Sequence, residues 1–284
     1  MKIDISDLDI IYISYDEPNC NELWEDLIEK VPWAKRVHKV KGFDSAHKEA
    51  AKLSETTRFV TVDADNIVDE TFFDLELDID TLKETDVLSW NGKNMINGLI
   101  YGNGNLKCWN KNLVLNMNTH ENSNSEQTKI EFCWDINFIP MKNWYSYVYS
   151  NGSPYQAFRA GYREGVKMSL DQGKKLEASE FVSKIYFENL HRLMIWCCVG
   201  KDVNNGEWAI HGARKGVWDT IIGNIDIENI RDYDWFQDFW KSVFENETEK
   251  DSEFYRKDLC SKLNIDIPDL DEVGSRFFKK VNRL

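Results

Sequence analysis

Apolar residues in this chain change period several times, and each change marks an element. Leu8-Asp-Ile-Ile-Tyr-Ile-Ser-Tyr15 is dense in β-branched and aromatic residues and halts at the turn-forming Asp16-Glu17-Pro18-Asn19, which predicts a strand. Leu23, Trp24, Leu27, Ile28 and Val31 then recur on one helical face, with Asn19 or Asn21 as N-cap and Pro32 closing the helix. Ala34 to Val40 alternates loosely as a second strand, and Asp44 or Ser45 caps a short Ala-rich helix ending near Leu53. Arg58-Phe-Val-Thr-Val-Asp-Ala-Asp65 completes a β-α-β-α-β run, in which Phe59, Val60 and Val62 read as a buried strand.

Further along, Asp86 to Trp90 and Leu99 to Trp109 read as strands, the second interrupted by Gly102 and Gly104. Asn97, Tyr101 and Lys107 line a sugar or acceptor pocket or belong to an ordinary hairpin. Thr119 to Thr128, rich in Asn, Ser and Glu, predicts a loop, and Lys129 to Ile139 resumes an extended pattern with Asp135 as a polar intruder. Ser153-Pro154 is a cap followed by an N1 proline, opening a helix whose apolar face carries Tyr155, Phe158, Tyr162, Val166 and Met168. Ala178 to Cys198 has the periodicity of a helix lying across the sheet, with His191 a structural member of it. Tyr233 to Glu245 carries a broad stripe of Trp235, Phe236, Phe239, Trp240, Val243 and Phe244, which must bury against something. The tail from Glu247 mixes acidic turns with short helical pieces and ends basic, and no internal repeat is visible.

Composition narrows the class. At 284 residues, with 42% hydrophobic and 13% aromatic content, the chain has material for one large domain or a domain with an appended lobe. No apolar run is long enough for a membrane span, and the start lacks the basic-then-apolar layout of a secretory signal, so a cytoplasmic protein without membrane contact is expected. The six cysteines form no Cys-x-x-Cys pair, which favours buried thiols over zinc or disulfides. A net charge of −14 argues against a large non-specific nucleic-acid surface, while leaving room for a local basic patch.

The chemistry concentrates at Asp63 and Asp65. Side chains in a strand repeat every two positions, so both carboxylates are expected to leave the strand end on one side, as a pair suited to a hard cation. The pattern alone is weak, because Asp-x-Asp also occurs at Asp7/Asp9, Asp78/Asp80, Asp232/Asp234 and Asp269/Asp271. Only Asp63/Asp65 closes a run of strand formers after two strand-helix units, at the carboxyl edge where open α/β sheets collect ligands. The alternative is a pair of acidic residues in a solvated turn. Ser14, Tyr15, Asp16 and Glu17 would sit beside the pair, holding base and ribose or forming an ordinary β-to-α turn. Lys41, Gly42 and the helix start that follows suit an anion or nucleotide, with His47 facing the ligand or packing inside. No Gly-x-Gly-x-x-Gly or Walker sequence is present.

Asp9-Ile-Ile-Tyr-Ile-Ser-Tyr-Asp-Glu-Pro-Asn19, Lys41-Gly-Phe-Asp-Ser-Ala-His47, Val62-Asp-Ala-Asp65, Asn97-Gly-Leu-Ile-Tyr-Gly102 and Gly206-Glu-Trp-Ala-Ile-His-Gly-Ala-Arg214 together resemble phage-encoded glycosyltransferases of the GT-A type. The similarity runs to about Gly223. It implies a GT-A-like, Rossmann-type mixed sheet flanked by helices over residues 1–223, with a helical C-terminal extension over 224–284 packed on it. It also implies a UDP-sugar donor, with Mn²⁺ or Mg²⁺ bridging Asp63 and Asp65 to the donor diphosphate. Some enzymes of this kind glycosylate hydroxymethylcytosine in phage DNA, arabinose being among the sugars used, which would place the protein in the host cytoplasm. In many GT-A enzymes a late histidine joins the metal, a part that His211 fits in type and order, and Arg214 with Lys215 would neutralise the leaving diphosphate. An inverting transfer needs a base on the attacking hydroxyl, for which Asp135 is the candidate, a hydrogen-bonding strand-edge aspartate being the alternative. Arg159, Arg163 and Lys167 recur every four residues as a basic ridge, extended by Lys174 and Lys175, that would meet DNA or donor phosphates, or else form a solvated helix face. The competing functions are transfer to a glycan or small molecule, and a non-catalytic nucleotide- or DNA-binding module.

Overall fold

A computed structural model describes residues 2–119 and 136–284. The chain is mixed α/β, with a curled mixed sheet flanked by helices. It divides into two compact units, the first running to Tyr149 and the second from Ser150 to Leu284, which also includes Ile96–Gly98.

In the first unit, β1 (Lys2–Asp4) pairs with β6 (Glu76–Asp78) as a small antiparallel ribbon. The main sheet has seven strands in the order β3-β2-β4-β8-β7-β9-β5. These are β2 (Asp9–Ser14), β3 (Lys35–His38), β4 (Arg58–Asp63), β5 (Asn66–Val68), β7 (Asp86–Asn94), β8 (Ile100–Asn110) and β9 (Asn137–Val148). β2 runs parallel to both β3 and β4, whereas β8 is antiparallel to β4 and β7. The parallel part is the predicted β-α-β-α-β run, linked by α1 (Cys20–Lys30) and α2 (Phe43–Leu53).

Alternation along the strands separates two cores. Ile10 and Tyr12 of β2, Val60 and Val62 of β4 and Leu106 and Cys108 of β8 pack with Cys20, Leu23 and Leu27 of α1 on one face. Ile11, Phe59 and Trp109 face the other way and meet Ala50 and Ala51 of α2 and Val114 of α3 (Lys111–Asn116). Burying both faces explains the near-continuous apolar runs in β2 and β4. β8 continues through Gly102 and Gly104, but its register against β7 shifts there: Trp90 pairs with Leu106 and Gly92 with Tyr101, so the extra residues of the bulge lie on β8 at the two glycines. α2 also begins earlier than its Ala-rich stretch predicts. Gly42 is its N-cap at φ 95°, a conformation that glycine adopts without Cβ strain, and Asp44 pairs with Lys48 inside the first turns.

The second unit is helical. It contains α4 (Pro154–Met168), α5 (Phe181–Lys184), α6 (Phe187–Trp196), α7 (Gly206–Ile221), α8 (Tyr233–Asn246), α9 (Glu249–Leu263) and α10 (Glu272–Asn282). Ser153 caps α4 as predicted, its side chain accepting from Gln156 N–H at 3.1 Å, with Pro154 in the first turn. α4 and α7 touch backbone to backbone. A Cβ added to Gly161 would lie 1.9 Å from Ala209 O, and one added to Gly212 would lie 2.2 Å from Phe158 O. Gly165 and Gly216 also leave no room for a Cβ, which would lie 2.5 Å from Ala213 O and 2.4 Å from Tyr162 O, so this pair of helices requires glycine on both sides. The α8 stripe closes over α4: Phe236 and Val243 join Phe158, Tyr162 and Val166 in one core. The sequence places a boundary at 223/224, but that point falls inside this unit, because α4, α7 and α8 share the core. Ala178 to Cys198 is not one helix either; it breaks into a 3₁₀ turn, α5 and α6.

Candidate functional site at the carboxyl edge of the sheet

β4 ends at Asp63, and Ala64-Asp65 form a turn into β5. Strand alternation therefore orients Asp63 only. Asp65 is held by its neighbours: Asn66 Nδ2 donates to Asp65 Oδ1 at 2.8 Å, and Tyr149 N–H donates to Asp65 O at 2.6 Å. Tyr12 OH donates to Ala64 O at 2.7 Å, anchoring the turn between the carboxylates to β2.

Both carboxyls titrate far above the ordinary aspartate range. Burial pushes Asp63 up to about 6, with Lys107 opposing and Glu17 adding to the shift. Burial likewise pushes Asp65 up to about 7, reinforced by the charges of Asp63 and Glu17 and opposed by the Asn66 hydrogen bond. The two aspartates and Glu17 thus form one coupled acidic group. A hard divalent cation would relieve this repulsion, and all the atoms on offer are oxygens. Among the described residues no three His, Cys, Asp or Glu side chains converge as a metal cluster, so protein ligation would rest on the pair.

The other four Asp-x-Asp patterns have local backbone roles. Asp9 Oδ2 accepts from Thr56 N–H at 3.1 Å, and Asp78 Oδ1 accepts from Asp80 N–H. Asp232 caps α8 through the N–H groups of Asp234 and Trp235, while Asp271 caps α10 through Gly274 N–H. Asp63 and Asp65 are set apart by their shared burial and mutual charge at the end of β4.

Beside the pair, the β2 loop carries Ser14, Tyr15, Asp16 and Glu17. Tyr15 N–H donates to Glu17 Oε2 at 2.8 Å, turning that carboxylate back onto its own loop, while Asp16 is exposed. Ser14 is 3% exposed and belongs to a cluster that sequence reading missed. Arg36 Nε donates to Ser14 Oγ at 2.9 Å, and His38 Nδ1 lies 2.9 Å from the same oxygen. The guanidinium also rests over the rings of Tyr12 and Trp24. Burial, then the charges of Arg36 and Lys39, hold the His38 pKa below the ordinary range. Arg36 and His38 lie two apart, as side chains on one face of a strand do, but only the register sets them opposite Tyr12 and Ser14.

Lys41 is exposed in the loop after β3. His47 is packed inside, stacked on Phe43 with centroids 3.9 Å apart and set edge-on to Trp109. Lys107 and Tyr101 belong to the sheet unit and Asn97 to the helical unit. Asp135 lies outside the described residues.

His211 and Arg214 lie on α7 in the helical unit, and both are buried. His211 Nε2 is 2.8 Å from Glu247 Oε2, and its ring stacks on Trp208. Arg214 Nε donates to Cys197 O at 2.8 Å, and Nη1 reaches Ser252 Oγ at 3.3 Å. Lys215 meets Glu247 at 3.1 Å and Asp219 at 3.5 Å. These polar groups tie α7 to α9 and to the end of α6. The basic ridge on α4 is similarly engaged. Arg159 lies over the Tyr233 ring at 4.6 Å, Lys167 pairs with Glu164 at 2.5 Å, and none of Arg159, Arg163 and Lys167 is fully exposed.

Among the described residues no helix is long and apolar enough to cross a membrane. Compared with known proteins, the chain matches no family model and no curated protein.

Proposed function

We propose that this chain is a metal-dependent glycosyltransferase of the GT-A type, moving a sugar from a UDP-sugar to an acceptor hydroxyl. The observation that carries this reading is the coupled pair Asp63/Asp65 at the end of β4, beside the loop that leaves β2. That edge is where α/β sheets gather ligands. Asp65, steadied by Asn66, and Asp63 would hold Mn²⁺ or Mg²⁺ together with phosphate oxygens of the donor, the way such ions are usually held when one or two carboxylates serve them. When bound, the ion supplies neutralising charge to the departing diphosphate. Ser14 to Glu17 and Lys41 are the residues for the nucleoside and its phosphates. The test is turnover of a panel of UDP-sugars with and without metal: Asp65→Asn should lower it by more than about a hundredfold, beyond the 10–100-fold typical of residues that only support a ligand. No metal-dependent turnover of any donor would remove this function.

For the acceptor, the proposal is hydroxymethylcytosine in phage DNA, with Asp135 as the base. Asp135→Asn should then lower turnover by at least about a hundredfold, the lower end for a lost general base, and full activity would release Asp135 from that role. A second reading, transfer to a hydroxyl outside DNA, is favoured by the engagement of Arg159 with Tyr233 and of Lys167 with Glu164. Reversing the charge of Arg159 and Arg163 separates the two. A DNA acceptor predicts weaker DNA binding and a shallower salt dependence, whereas unchanged binding selects the second reading.

A further inference from the structure

Lys107 stands opposite Thr61 in the antiparallel β4–β8 ladder and opposite Ser89 in the β8–β7 ladder. Paired side chains in a ladder share a face, and strand alternation puts Thr61 and Asp63 on that same face. The lysine therefore projects from the middle of a three-strand platform toward the side of the sheet that carries Asp63. It is 4% exposed, a state in which an ammonium needs a compensating charge. A second group at the site is also sequestered: Asn66 is 1% exposed, with Nδ2 on Asp65 and Oδ1 without a hydrogen-bond partner.

We propose that Lys107 is a fixed cation of the site, neutralising Asp63 before the donor arrives and contacting the donor's diphosphate once it is bound. This rests on the nucleotide-sugar reading above and adds a role within it. Lys107 offsets one of the two carboxylate charges, so a divalent ion alone meets a weakened site. An ion arriving with a diphosphate meets additional negative charge and phosphate oxygens. Lys107 would consequently favour a divalent ion that comes with the donor over one that comes alone. An ammonium on a strand paired on both sides is also held in place before binding, which lowers the ordering cost of a phosphate contact.

The proposal makes predictions of opposite sign for two ligands. In titrations of the full chain followed by calorimetry, Lys107→Met should bind Mn²⁺ alone severalfold more tightly than the wild type, because a repelling charge is gone. The same variant should bind UDP in the presence of Mn²⁺ at least about tenfold more weakly, the scale of one lost hydrogen bond to a charged group. Lys107→Arg should keep UDP affinity near the wild-type value. Lys107→Gln gives a second neutral variant with a polar end should the methionine variant fail to fold, and thermal melts identify folded samples. Neutral variants that leave both affinities unchanged, or weaken both together, overturn the role of Lys107 alone. A wild-type chain that binds neither Mn²⁺ nor UDP overturns the donor reading and this inference with it.

Discussion

Asp9 stands at the start of β2 and ties it to the loop leading into β4. Its carboxylate accepts from Thr56 N–H at 3.1 Å and Ser54 Oγ at 3.2 Å, and Lys35 Nζ lies 2.7 Å away. Burial alone would raise its pKa, but the Lys35 hydrogen bond and the Glu55 and Thr56 amides outweigh burial and hold it below the ordinary range. A carboxylate with a depressed folded pKa contributes stability above its unfolded pKa and loses it as pH falls through the folded value. Asp9→Asn should thus cost about 1–3 kcal/mol at neutral pH, and the gap to wild type should narrow as pH falls below the ordinary aspartate value of about 3.9. Urea melts at the two pH values check this, and a gap independent of pH would contradict it. At this scale the sequence separated Asp63/Asp65 from four look-alikes because an apolar strand precedes them. It left Arg36, His38 and Asn66 unread, since their importance comes from register and from a turn, which a local window does not reveal.

The α4–α7 pair shows the same limit for elements. Hydrophobic periodicity located α4, cap included, because its apolar face is large. It passed over α7, whose contact surface consists of Ala209, Gly212, Ala213 and Gly216, residues that add little apolar signal yet let two backbones meet. The resemblance assigns His211 and Arg214 to the site, and their place on a buried helix is visible only with the fold. Gly161→Ala should lower stability by about 1–3 kcal/mol or more, as overpacking does, because its new methyl would meet Ala209 O at 1.9 Å. Gly102→Ala, whose methyl would find nothing nearer than Asn91 Oδ1 at 3.6 Å, should be tolerated. Thermal denaturation of the two variants compares them directly; equal melting temperatures would show that the helices separate to admit a side chain at little cost. The parallel β-α-β-α-β run was legible for the opposite reason, since each element announces itself by a dense apolar run and a turn.

For the whole molecule, the division at Tyr149 and Ser150 assigns the acidic pair to the sheet unit and the His211–Glu247 and Lys215–Asp219 contacts to the helical unit. Composition anticipated a large core, and both units are rich in aromatics; Ser150-Asn-Gly-Ser-Pro154 marks the boundary in the sequence, but read locally it signals only a turn and a helix start. At the centre of the proposed function, Asp63 and Asp65 would hold a divalent ion and the diphosphate of a sugar donor. The most direct measurement is the release of UDP from UDP-sugars by the wild-type chain and by Asp65→Asn, with Mn²⁺ and again after chelation. Release by the wild type should disappear on chelation and fall by more than about a hundredfold in the variant, if the pair holds the ion and the donor. Release that survives chelation, or that is equal in the variant, would contradict it.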